Sequence, residues 1–130
     1  MEWTPAKLRY LLAFHALSQD SGTVRGIDIA VQLGISRASV SRMLAQFVED
    51  GILQPAGRSG FALTELGRQE SDNYFGRFQS LYQLFHHELK LADYEARECA
   101  VTLITSLPEK ITSDLHQKCD HYLQHIPPQA

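Results

Sequence analysis

The chain has 130 residues and 14.7 kDa, 44% of them apolar and 21% charged, a composition that allows one globular domain with its own core but excludes a second full one. Two cysteines, Cys99 and Cys119, make no disulfide framework, no basic-then-apolar leader opens the sequence, and no uncharged run approaches the ~18 residues of a membrane span, so a cytoplasmic protein without a membrane partner is expected. The net charge of −3 argues against a polyanion partner for the chain as a whole, yet residues 1–70 hold seven basic and seven acidic side chains while residues 71–130 hold five and eight, so the negative excess lies in the second half.

In chain order, Thr4-Pro5 reads as a cap with proline at the first helical position, and Leu8, Leu11, Leu12 and His15 continue at helical spacing, giving a helix over about 5–19. A short amphipathic stretch, Ile27 to Leu33, stops at Gly34. Ser36 opens a further helix over Arg37–Asp50, closed by Gly51. The pattern then changes to two short extended runs, Ile52–Pro55 and Phe61–Thr64, joined by Ala56-Gly57-Arg58-Ser59-Gly60, which predicts a hairpin. Thr64 caps a long helix reaching about His87 or Lys90; helices over about 93–105, capped by Asp93, and from Pro108 to before Pro127 follow, and the last four residues are expected to fray.

Helix, helix, tight turn, helix, hairpin is the order of a winged helix-turn-helix. Ala30, Gly34 and Val40 stand at relative positions 5, 9 and 15 of the unit, where a small residue lets the helices approach, glycine takes the positive-φ turn, and a branched apolar residue packs the second helix on the first. Ile29, Leu33, Ile35 and Leu44 are expected in the remaining buried slots. With Val40 at the centre of the inner face, steps of about 100° per residue put Ala38, Arg42, Ala45 and Glu49 outward, flanked by Ser39, Ser41 and Gln46. No acidic residue lies between Asp28 and Glu49, whereas Arg37 and Arg42 do. A small, polar, basic helix surface suits the major groove of double-stranded DNA, so Arg25, Ser36, Arg37, Ala38, Ser39, Ser41, Arg42, Gln46 and, on the hairpin, Arg58 and Ser59 are the candidate DNA-binding residues. The predicted class is mainly α: a winged helix-turn-helix over residues 1–66, a helical dimerisation region over 67–126 and a tail over 127–130.

Tyr74, Phe75, Phe78, Leu81, Tyr82 and Phe85 form an apolar stripe on the long helix, read as core and homodimer interface together; a pocket for an aromatic ligand is the other reading. On the last helix, His116, Cys119, Asp120, His121 and His125 include two pairs spaced by four, which share a helix face and suit a soft or borderline cation. Neither a nucleophile with its base nor a glycine-rich phosphate loop occurs, so an enzyme is not expected. A winged helix kept only for protein interaction is the alternative that the net charge favours.

From Leu8 to Gly67, the strings Asp28-Ile29-Ala30, Ser39-Val40-Ser41, Asp50-Gly51-Ile52-Leu53 and Leu63-Thr64-Glu65-Leu66-Gly67 resemble the winged-helix half of the iron- and manganese-dependent repressors, and the helices beyond match that family's layout. Leu-Thr-x-x-Gly is shared with MarR-type regulators, which respond to small ligands. The resemblance implies a homodimeric transcriptional repressor on a near-palindromic operator, activated by a divalent transition metal such as Mn, Fe or Zn. Aligned without gaps, the acidic pair of the manganese-type members falls on Arg9 and Leu12, and the histidine of the long helix falls on Phe78. The remaining cluster falls on Glu95, Glu98 and Cys99, with no histidine after it.

Overall fold

The computed structural model describes residues 2–126; the predicted tail lies outside them. The elements are α1 (Pro5–Leu17), β1 (Val24–Arg25), α2 (Gly26–Leu33), α3 (Arg37–Glu49), β2 (Leu53–Ala56), β3 (Gly60–Leu63), α4 (Glu65–Gln83), a π-helical turn (Leu84–Glu88), α5 (Asp93–Ser106) and α6 (Glu109–Gln124). They form two compact units, one ending at Tyr74 and one beginning at Phe75, with the boundary inside α4. No helix among the described residues is long and apolar enough to cross a membrane.

In the first unit the helices start where the caps predict. Thr4 Oγ1 accepts the Lys7 N–H at 3.2 Å ahead of Pro5, and Ser36 Oγ accepts the Ser39 N–H at 3.1 Å ahead of Arg37, each satisfying a helix-end donor. Gly34 sits at φ 66°, the left-handed conformation that reverses the chain between α2 and α3. Leu8, Tyr10, Leu11 and Phe14 of α1, Ile29 and Ala30 of α2, and Val40, Leu44 and Phe47 of α3 are buried. Ile35, expected in a buried slot, is instead 37% exposed, because it lies past the end of α2 and only its backbone N–H turns back, to Ala30 O.

The hairpin forms as β2 and β3 in antiparallel register, Leu53 opposite Leu63 and Ala56 opposite Gly60. A third strand joins it: Val24 pairs with Phe61 and Arg25 with Gly60, giving the order β1-β3-β2. Thr64 then pins α4 to this sheet. Its hydroxyl accepts the Gly67 N–H at 3.0 Å and donates to the Gly51 carbonyl, and Gly67 packs so closely that a Cβ there would lie 2.0 Å from Ile52 O.

His15 on α1 places Nδ1 3.0 Å from the hydroxyl of Ser71, which is buried on α4. Burial pulls the imidazole pKa below 6.5, against the opposing field of Asp72. The folded form therefore binds fewer protons than the unfolded chain. This contribution is complete above pH 6.5 and is lost as the pH falls through the folded-state value. The urea midpoint should drop between about pH 7.5 and about pH 5.5, and His15→Gln should drop less over the same interval; identical pH dependence of the two proteins would contradict the assignment.

In the second unit the long helix ends in a π turn, where the Leu89 N–H reaches back five residues to Leu84 O. Asp93 is the first residue of α5 rather than its cap. The Glu95 carboxylate accepts the Ala92 N–H at 3.1 Å in the capping role, while Asp93 accepts from the Tyr82 hydroxyl and, at 3.0 Å, from Arg97. Those two bonds hold the Asp93 carboxyl below its ordinary value, and the bond to Asp93 raises Tyr82 above its own against the opposing field of Arg97. Arg77, 4% exposed, donates to Thr112 Oγ1 at 2.9 Å and Glu109 Oε1 at 3.3 Å, fastening α4 to the start of α6.

Candidate nucleic-acid interface

The outer surface of α3 carries the predicted groups. Ser36, Arg37, Ala38, Ser41, Arg42, Ala45, Gln46 and Glu49 are exposed and Ser39 is half-buried. Arg25, at the β1–α2 junction, and Arg58 and Ser59, on the hairpin turn, are exposed as well. The hairpin turn presents Arg58 beside two residues in left-handed conformation, Gly57 at φ 63° and Ser59 at φ 58°.

These groups divide between two places. An open groove of about 730 Å³ runs between α3 and the wing, lined on its polar side by Arg25, Arg37, Ser41 and Ser59 and floored by Leu44, Val48 and Phe61, with no acidic lining residue. Arg42 lies outside this groove: its guanidinium donates to Ser39 Oγ at 3.4 Å, and its field partly offsets the burial that raises the pKa of Tyr10 on α1. Gln46 is turned to Asp50 Oδ1 at 3.1 Å. Arg25 meets Asp28 at 3.5 Å with both side chains well exposed, a pair worth about 0–1 kcal/mol, so a phosphate can displace the carboxylate at little cost. Arg37 and Arg58 form no ion pair among the described residues.

The structure draws Arg25 and Ser59 to the same side as Arg37 because β1 pairs with β3. Periodicity cannot show that, since a two-residue strand has no pattern to read.

The aromatic stripe is in large part internal. Tyr74, Phe78 and Leu81 are 8%, 7% and 2% exposed within a single chain, which leaves Phe75, Tyr82 and Phe85, all half-buried, as the members with area for a second copy. Tyr82 is already engaged on its faces: Phe78 and His86 stack on it at 5.8 and 5.2 Å, and the Arg97 guanidinium lies 5.2 Å from its centroid.

Neither candidate metal set converges. Among the described residues no three His, Cys, Asp or Glu side chains are placed to share an ion. Glu95 is occupied as a capping group, Glu98 is exposed and Cys99 is half-buried. Cys119 is buried, and burial raises its thiol pKa. His121 and His125 are exposed, with His125 Nδ1 on the His121 carbonyl at 2.7 Å.

His116 and Asp120 meet a partner that their own helix does not reveal. Buried Ser80 of α4 donates to Asp120 Oδ1 and lies 2.8 Å from His116 Nδ1. A serine, a histidine and an aspartate thus come together, but not as a nucleophilic relay. The serine touches both partners, the other imidazole nitrogen is 3.7 Å from Asp120, and a hydroxyl 3% exposed is closed to substrate. The group acts as a polar lock between α4 and α6.

Residues 9–57 match the model of the IclR helix-turn-helix domain. The sequence matches no curated protein. Among solved structures, the manganese regulator SloR is similar over 95% of this chain and 56% of its own length at 19% identity and TM-score 0.75. IdeR of T. acidophilum is similar over 91% and 55% at 16% identity and TM-score 0.66, and ScaR with bound Zn2+ over 88% and 53% at 21% and 0.68. A hypothetical protein from Sulfolobus solfataricus aligns over 89% of this chain and 88% of its own, at 17% identity and TM-score 0.64. The chain therefore spans about half the length of SloR, IdeR and ScaR. At these identities the likeness establishes the fold, a winged helix-turn-helix followed by helices.

Proposed function

We propose that the chain is a DNA-binding transcriptional regulator that inserts α3 into the major groove and sets the wing against the flanking phosphates, two copies acting together through the second unit on a near-palindromic operator. The observation that carries this reading is the groove between α3 and the wing. Two arginines from different elements and two serine hydroxyls face one open space with no carboxylate among its lining residues, in a chain whose net charge is −3.

Selection from a random duplex pool tests it. The chain should enrich a sequence with two-fold symmetry, and Arg42→Ala should weaken binding to it by about tenfold. A pool that does not enrich at low salt overturns the proposal.

The likeness to SloR, IdeR and ScaR supports a relation to the iron- and manganese-dependent repressors at the level of the fold. The donor sets described above do not suit that family's metal, so the proposed DNA binding runs without one. Affinity for the selected duplex should change by less than about twofold when excess chelator replaces Mn, Fe or Zn in the buffer; a gain of about tenfold or more on adding one of these metals would reinstate metal gating.

A further inference from the structure

Trp3, the only tryptophan of the chain, precedes α1 and is held between two rings, 4.9 Å from Tyr74 at 47° and 6.1 Å from Phe47 at 37°. Phe47 is the last of the three buried side chains of α3, and Tyr74 stands on α4 where the first unit ends. The rest of α3 is anchored at its other end, where Ser36 caps it and Val40 and Leu44 close over Gly26, whose Cβ would lie 3.4 Å from Leu44 and 3.6 Å from Val40. Thr4 and Pro5 begin a capped helix directly behind Trp3, which fixes where the indole lies.

We propose that Trp3 is a positioning residue for the DNA surface, a wedge between Phe47 and Tyr74 that sets the rotation of α3 about its own axis. The inference rests on the DNA-binding reading. A helix with its side chains is ~10–12 Å across, so a rotation of about 20° carries an outer group sideways by about 2 Å, more than a base-edge hydrogen bond tolerates. Contacts to phosphates tolerate that displacement, because a long arginine can follow a charge. Loss of the wedge should therefore remove discrimination between sequences before it removes attraction to DNA.

The experiment measures fluorescence-anisotropy affinities of the wild type, Trp3→Ala and Trp3→Phe for the duplex selected by the wild type and for an unrelated duplex. Trp3→Ala should lose about tenfold or more on the selected duplex while staying within about twofold on the unrelated one, and Trp3→Phe should recover most of the loss. Unchanged affinity of Trp3→Ala for the selected duplex overturns the positioning role. Equal losses on both duplexes also overturn it, since that is the effect of a smaller folded fraction. Should Trp3→Ala fail to fold by circular dichroism, Trp3→Leu, which keeps apolar bulk without a ring, is held to the same outcomes. A wild-type chain that selects no duplex overturns the DNA reading and the positioning role with it, whereas wild-type selection indifferent to Trp3 overturns the positioning role alone.

Discussion

Gly67→Ala should unfold the winged helix or destabilise it by about 3 kcal/mol or more, lowering the thermal midpoint by about 10 °C or more. The glycine is in the first turn of α4, and an added methyl carbon would stand 2.0 Å from the Ile52 carbonyl oxygen and 3.0 Å from its carbon. Those are backbone atoms of the segment leading into β2, so no rotamer change relieves the clash. The sheet and the helix would have to part, breaking the Thr64 hydrogen bonds to Gly51 and Gly67. Gly76 on the same helix is the control. Among the described residues its added Cβ would come nearest to His116, at 3.5 Å, an ordinary van der Waals contact, so Gly76→Ala should stabilise by about 0.5–1 kcal/mol through helix propensity and unfolded-state entropy. Paired thermal or urea melts decide the matter; a Gly67→Ala protein as stable as the wild type would contradict the close approach.

The second large effect concerns charge. Reversing Arg37 and Arg58 together, to Arg37→Glu and Arg58→Glu, should weaken binding to the selected duplex by about 100-fold or more at low salt and flatten the log–log salt dependence by about two. Both side chains are exposed, and neither takes part in an ion pair among the described residues, so the substitutions leave the fold intact. Circular dichroism and melting temperature should match the wild type. Equal affinity of the double variant would instead favour the protein-interaction reading of the winged helix.

Local signals were legible in the sequence because their physics is local. Ser36 and Thr4 cap through their own hydroxyls, Gly34 turns by its own φ, and Val40, Leu44 and Phe47 share a face by helical period. Most of the candidate DNA surface follows from the same period, since the outward residues are those the inward ones leave over. What could not be read depends on partners far away in the chain. β1 exists only because Val24 and Arg25 find Phe61 and Gly60. Cys119 is buried, and His116 and Asp120 are tied to Ser80, 36 and 40 residues upstream, so their helical spacing by itself suggested ligands. Tyr74 was legible as an aromatic on the apolar stripe, but its partner Trp3 lies at the other end of the first unit. The Leu-Thr-x-x-Gly string is an intermediate case. The sequence displays it plainly, and the structure supplies its cause: threonine bridges the helix start to the sheet, and glycine admits the carbonyl of Ile52.

DNA reading by α3 and the wing is tested most directly by an anisotropy titration of the wild-type chain against its selected duplex and an unrelated one at increasing salt. Binding to the selected duplex should be tighter by about a hundredfold or more, with affinity for both falling steeply as salt rises. Absence of binding at low salt, or equal affinity for the two duplexes, would contradict the claim that α3 and the wing read DNA.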